Sequence, residues 1–224
     1  VTKPGTSFAV DLSSYYQSDN FQVEDKDAYW AAGINISNLG NKISYTDAGE
    51  EHFLPTNGRL GASFNMELDK YNSVSFAVDI NKLLVPTPPE YAVDEDNDPI
   101  YDENGNQVIE AGQDPNVGTV QGVFQSFNDA PGGMQEELNE LMYSVGMEYW
   151  YLKQFAFRGG YFHEHATKGN RKYFTVGVGL RMNVFSLDMA FLLPAQQGQR
   201  SPLANTLRFT MLFDMAALYS TDKE

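Results

Sequence analysis

The chain of 224 residues carries 15 Lys and Arg against 30 Asp and Glu, a net charge of −15, and has no cysteine. Binding nucleic acid needs a basic face, so DNA and RNA are excluded as partners, and disulfides, thiolate metal sites and cysteine nucleophiles are excluded with the cysteines. No stretch approaches the roughly 18–20 consecutive apolar residues of a membrane-spanning helix; a β-barrel, in which only alternate residues meet lipid, stays open at a mean hydropathy of −0.40.

The sequence begins at Val1 without a charged-then-apolar leader, and a strand pattern is under way by Thr6. The expectation is a chain entered mid-fold, with any signal peptide already absent. Two weak strand patterns run over Thr6–Tyr16 and Ala28–Ile36. From Gly58 to Leu68 the alternation is strict: Leu60, Ala62, Phe64, Met66 and Leu68 share one face, and Arg59, Gly61, Ser63, Asn65 and Glu67 the other. After a turn at Asp69 and Lys70, Val74, Phe76, Val78 and Ile80 alternate with Ser73, Ser75, Ala77 and Asp79.

Beyond a long interruption the pattern resumes with Tyr143, Val145, Met147, Tyr149 and Tyr151, then with Phe155, Phe157 and Tyr161, whose opposite parity holds Ser144, Gly146, Glu148 and Arg158. Phe174, Val176, Val178 and Leu180 follow, then Phe185, Leu187, Met189 and Phe191, and finally Leu207, Phe209, Met211 and Phe213. This predicts nine antiparallel strands in an all-β fold.

A soluble β-sandwich would show the same period of two. Mid-strand charges on the non-apolar parity (Arg59, Glu67, Arg158, Arg181, Arg208, Asp214) suit a polar lumen better. So do the links. Those at 68–71, 151–154 and 182–184 are tight, those at 37–57, 81–140, 163–171 and 192–205 are long, and the two kinds alternate as in a bacterial transmembrane β-barrel, with 17–27 as the one exception. Nine strands cannot close a single-chain bacterial barrel, which takes an even number, so the expectation is one barrel domain over 1–224 whose N-terminal strands are missing.

The segments Ile34–Tyr45, Phe53–Asn57, Asn81–Pro88, Asp129–Gly133, Glu148–Tyr151, Arg158–Phe162, Gly169–Phe174 and Pro202–Phe209 together resemble the PorV family of the type IX secretion system. The resemblance implies a FadL-like barrel of about 14 strands in the outer membrane of Bacteroidota-type bacteria, about nine of them here. It further implies a carrier, not an enzyme. Such a carrier collects cargo proteins by their C-terminal domain at the translocon and passes them to a surface sortase complex that attaches them to lipopolysaccharide. A FadL-like transporter of hydrophobic small molecules is the alternative.

Residues 81–140 read as a long acidic outer loop. No Lys or Arg occurs from Leu83 to Leu152, and Glu90–Asp114 holds nine carboxylates. Asp94, Asp96 and Asp98 have the alternate spacing of a calcium loop, but Pro99 stands where such a loop needs glycine, and a solvated loop is favoured. Ile100–Ile109 reads as a small hairpin turning at Asn104 and Gly105, and Met134–Leu141 as a short amphipathic helix.

Apolar residues on the outer loops, namely Leu84, Val85, Pro86, Pro88, Phe124, Phe127, Pro194, Pro202 and Leu203, are the candidate partner-binding set; packing on one another across the barrel mouth is the competing reading. His163, Glu164 and His165 lack the spacing of a zinc site, since neighbours on a strand point opposite ways. No nucleophile elbow or phosphate-cradling loop occurs, and neither catalytic residue, metal nor cofactor is assigned. Tyr149, Trp150 and Tyr151 are expected to form an interfacial aromatic girdle.

Overall fold

A computed structural model describes residues 4–44, 51–196 and 205–215. The strands are β1 (Ala9–Gln17), β2 (Phe21–Val23), β3 (Lys26–Gly40), β4 (Asn57–Glu67), β5 (Ser73–Leu83), β6 (Glu90–Tyr91), β7 (Ile109–Ala111), β8 (Met142–Tyr151), β9 (Phe155–His163), β10 (Lys172–Arg181), β11 (Phe185–Pro194) and β12 (Leu207–Phe213). Two short helices, α1 (Thr119–Gln125) and α2 (Met134–Asn139), lie between β7 and β8. One sheet takes the strands in the order β1-β3-β4-β5-β8-β9-β10-β11-β12, with β2 also on β3; β6 and β7 form a separate pair. The nine expected strands are all present and are neighbours in chain order.

Strict alternation sets the register, because a slip of one residue would move every side chain to the other face. Between β8 and β9, Glu148 lies opposite Arg158 and Gly146 opposite Gly160. Between β10 and β11, Val178 faces Met189 and Gly179 faces Asp188. The apolar parity is uncovered: Val78 is 52%, Met147 48% and Phe209 75% exposed. Among the described residues the buried apolar side chains are Ala28, Ala31, Leu84, Pro86, Pro89, Ala130, Ala156 and Tyr173. Four alanines, two prolines, a leucine and a tyrosine cannot supply the interior of a sandwich, so that alternative fails. The fold is all-β and the sheet is open: among the described residues, β1 and β12 are each paired on one side only.

Two tight turns are made without glycine. Leu152 and Lys153, between β8 and β9, have φ of 55° and 54°, and Glu24 and Asp25, between β2 and β3, have φ of 51° and 64°. The β2–β3 link is a two-residue hairpin, Val23 pairing with Lys26, and the β8–β9 link has three residues, Tyr151 pairing with Phe155; each has two successive left-handed residues, the geometry that matches strand twist. The second removes the exceptional link at 17–27. β1 and β2 lie on the same flank of β3, interrupted at 18–20, where Ser18 accepts the Trp30 N–H through its side chain and donates its own N–H to the Trp30 carbonyl. The effective turn is Glu24 and Asp25 alone, so this link is as tight as its counterparts.

The chain forms two compact units, one of residues 1–14, 34–60 and 81–141, the other of 15–33, 61–80 and 142–224.

Candidate partner-binding surface

In the first unit, the chain leaving β5 is fixed at once to the preceding loop. Leu84 donates its N–H to the Thr56 carbonyl at 2.8 Å. Its side chain packs so closely on Gly58 that a Cβ there would lie 2.9 Å from Leu84 Cδ1. Pro86 and Phe53 press on Gly122 of α1 in the same way, at 3.1 and 2.8 Å from the position a Cβ would take. Glycine at 122 therefore lets the helix backbone sit directly on the proline and the ring.

Beneath the helices lies a buried polar cluster. Lys82 donates to Glu137 at 3.0 Å and to Glu140. The other Glu137 oxygen accepts the N–H groups of Asp129 and Ala130 at 2.7 and 2.9 Å. Glu140 also accepts from the Thr87 hydroxyl at 2.8 Å, and Asp129 accepts the Thr87 N–H at 3.0 Å. Lys82, Glu137 and Asp129 are all buried. One ammonium thus ties the end of β5 to α2, and each buried charge has hydrogen-bonded partners, the condition under which a buried ion pair is tolerated. Asp129 carries the strain. Its Oδ1 has no hydrogen-bond partner among the described residues. Burial pushes its carboxyl above the usual range, with Glu137 and Glu140 adding to the effect against the Thr87 N–H and Lys82.

The predicted residues separate by burial. Leu84 and Pro86 are buried and Val85 is half-buried, so these three build the loop from inside. Pro88 is exposed, and Phe124 and Phe127 are 74% and 55% exposed. Pro194 is the last residue of β11, opposite Tyr173, rather than a loop residue. Pro202 and Leu203 lie outside the described residues. Sequence reasoning missed α1 altogether, and with it Val120, which shares the exposed stripe of Phe124 four residues on; Met134 and Leu138 of α2 are likewise exposed. The signal for α1 was weak: its N-cap is Gly118, with no side-chain cap.

The acidic segment 90–111 folds into a small arm with two turns of one design. Asp94 accepts the N–H groups of Asp96 and Asp98, both at 2.9 Å, and Asp102 accepts those of Asn104 and Asn106, both at 2.9 Å. The left-handed residue is Asn97 in the first turn and Gly105 in the second. The expected hairpin exists, with its bridge between Tyr101 and Gln107 and only Gly105 left-handed at its tip. The Asp94 oxygen that a calcium loop would offer to metal is committed to backbone N–H groups. The root of the arm is stapled to the end of α1: Gln113 donates to the Asn128 carbonyl at 2.6 Å and Gln125 to the Asp114 carbonyl at 2.9 Å.

In the second unit, the Glu164 carboxylate is held by Arg171 through Nε and Nη2, both at 2.7 Å, and by the Arg171 N–H at 3.1 Å. Burial would raise its pKa, but these bonds outweigh it and hold the carboxyl below the usual range. His165 instead caps the 3-10 turn Ala166–Lys168 by accepting from the Thr167 N–H. The polar parity carries a charged network. Arg158 donates to Glu148 and to Asp188, both at 2.5 Å. Trp150 belongs to this network and not to a girdle: its Nε1 donates to Glu148 at 2.7 Å, and Arg181 stacks 4.4 Å from its ring centre. A cavity of about 550 Å³ opens beside it, lined by polar groups such as Ser63, Asn65, Asp79 and Arg158 together with Val145, Met147, Tyr161 and Phe162.

No curated protein matches the chain. A family model does: residues 2–90 match the family described as type IX secretion system protein PorV. That span runs from the start of the sheet through β5 and the Lys82–Pro86 anchor, and it bears out the resemblance of this chain to PorV, the type IX secretion system protein.

Proposed function

We propose that this chain is the greater part of an outer-membrane β-barrel that serves the type IX secretion system as a carrier. Its outer loops bind cargo proteins by their C-terminal domain at the translocon and present them to the surface sortase complex. The observation that carries the membrane reading is the uncovered apolar parity of the sheet, with Val78, Met147 and Phe209 facing outward and a charged network on the opposite parity. At roughly 25 cal/mol per Å² of apolar surface, rows of exposed Phe, Val, Leu and Met are sustained by hydrocarbon and not by water. Lipid and lipopolysaccharide are then the lateral neighbours of the sheet. Missing N-terminal strands would close the barrel by pairing with the free edges of β1 and β12.

The carrier reading is favoured over FadL-like transport of hydrophobic small molecules because residues 2–90 match the family described as type IX secretion system protein PorV. The test is binding of a purified cargo C-terminal domain to the complete barrel in detergent, read by calorimetry or by co-elution. Saturable binding is expected; its absence would sink the carrier reading.

A further inference from the structure

The first unit exposes a row of apolar side chains, of which Phe127 also has Lys82 Nζ over its ring at 6.0 Å. Val120 and Phe124 are four residues apart on α1, Phe127 follows one turn later, and Met134 and Leu138 stand four apart on α2. Their exposures run from 49% to 74%. The inner sides of the same helices are fully employed, by Gly122 on Pro86 and Phe53 and by Glu137 on Lys82. The apolar stripe is therefore not a core waiting to close: the helices are already seated by their other face.

Charge says what can cover it. From Leu83 to Leu152 there is no Lys or Arg, and Lys82, just before, is buried between Glu137 and Glu140. The nine carboxylates of 90–114 are exposed. Gln113 and Gln125 tie the root of the acidic arm to the end of α1, so those charges begin beside Phe124 and Phe127. An apolar surface flanked by uncompensated negative charge repels a lipid surface rich in phosphate and favours a protein face with Lys and Arg around an apolar centre.

We infer that the stripe Val120, Phe124, Phe127, Met134 and Leu138, with the acidic arm beside it, docks a protein partner whose contact face is apolar at its centre and cationic at its rim. This docking surface rests on the carrier reading and gives the chemistry of its partner. Phe124 and Phe127 supply desolvated anchor area, and the arm steers the approach of the cationic rim.

The experiment uses the complete protein in detergent and three probes: a cargo C-terminal domain, a helical peptide of alternating Leu and Lys stripes, and vesicles of phosphatidylethanolamine with phosphatidylglycerol. Two variants are compared with wild type. One is Phe124→Ser with Phe127→Ser. The other is Glu95→Gln, Asp96→Asn, Asp98→Asn and Glu103→Gln, which leaves the turn-forming Asp94 and Asp102 in place. The phenylalanine variant should bind the cargo domain and the peptide about tenfold more weakly or worse. The neutralised arm should lose most of the several-fold drop in affinity that wild type shows between about 50 and about 300 mM NaCl. Failure of the cargo domain to bind wild type, with the peptide responding as stated, would sink the carrier reading and leave the docking surface standing. Peptide and cargo binding indifferent to both variants would overturn the docking surface, and so would wild type binding to the anionic vesicles that is lost with the two phenylalanines.

Discussion

Arg158 reaches Asp188 across an intervening strand, at 2.5 Å, because Gly179 of β10 leaves the space open. A Cβ at that glycine would lie 2.6 Å from Asp188 Oδ1 and 2.8 Å from Arg158 Nη1. The opposite side of the guanidinium takes Glu148, the direct neighbour of Arg158 on β8. One cation thus serves two carboxylates on strands that do not touch.

Gly179→Ala should therefore break the Arg158–Asp188 pair without altering any charge. Because the three side chains are each about one-third exposed, the loss is modest, on the order of 1–2 kcal/mol. Arg158→Ala, which strands two carboxylates, should cost at least as much. Urea unfolding of the detergent-folded protein would measure both, and equal stability of Gly179→Ala and wild type would contradict the geometry.

Lys82→Met removes the ammonium between Glu137 and Glu140. Leaving buried carboxylates without their cation costs about 3–5 kcal/mol. The loss is local, so α2 should become protease-sensitive and exchange its amide hydrogens faster while the strands stay protected. Glu137→Gln combined with Lys82→Met should restore part of the protection.

Two carboxyls should respond to pH in opposite senses. Glu164 is held below the usual range in the folded state, so its contribution is present at neutral pH. That contribution disappears as pH falls from the unfolded value near 4.3 through the lower folded value. Asp129 is raised, so the folded loop holds its proton more tightly than the unfolded chain, and stability falls as pH rises through the folded value. Asp129→Asn should leave an acceptor for the Thr87 N–H while removing the buried charge. Amide exchange at 126–141 should then be slower in the variant than in wild type at pH 7, with the difference vanishing below about pH 4.

Asp94 and Asp102 each hold a turn by accepting two N–H groups, and the pairing on Asp102 also draws its carboxyl below the usual range. Asp102→Ala should speed amide exchange at Asn104 and Asn106 and spare the Asp94 turn. Asp94→Ala should do the reverse. Added calcium should leave both turns unchanged, because Oδ1 of each aspartate is already committed to two backbone N–H groups.

The sheet could be read from the sequence wherever parity was strict, as from Leu60 to Leu68 and from Phe174 to Leu180, because exposure on one face is what the pattern encodes. The β2–β3 hairpin was hidden because its left-handed residues are Glu24 and Asp25 rather than Gly or Asn. The anchoring of the loop was hidden for a different reason: Lys82 and Glu137 are 55 residues apart, and no periodicity links them. One hint existed, that Lys82 is the last cation before a long stretch with none. The candidate binding set mixed the residues that hold the loop together, Leu84 and Pro86, with those that face outward, Phe124 and Phe127, since composition cannot tell the two faces of a loop apart.

On the outer-membrane reading proposed above, the uncovered apolar parity of the sheet makes the surrounding medium the second layer of this fold. Acyl chains would then stand where a sandwich would place a facing sheet, so thermal resistance should follow the length of the detergent tail, as that of a soluble domain follows the size of its interior residues. A short-tailed micelle is, for this chain, the equivalent of a core truncated to alanine.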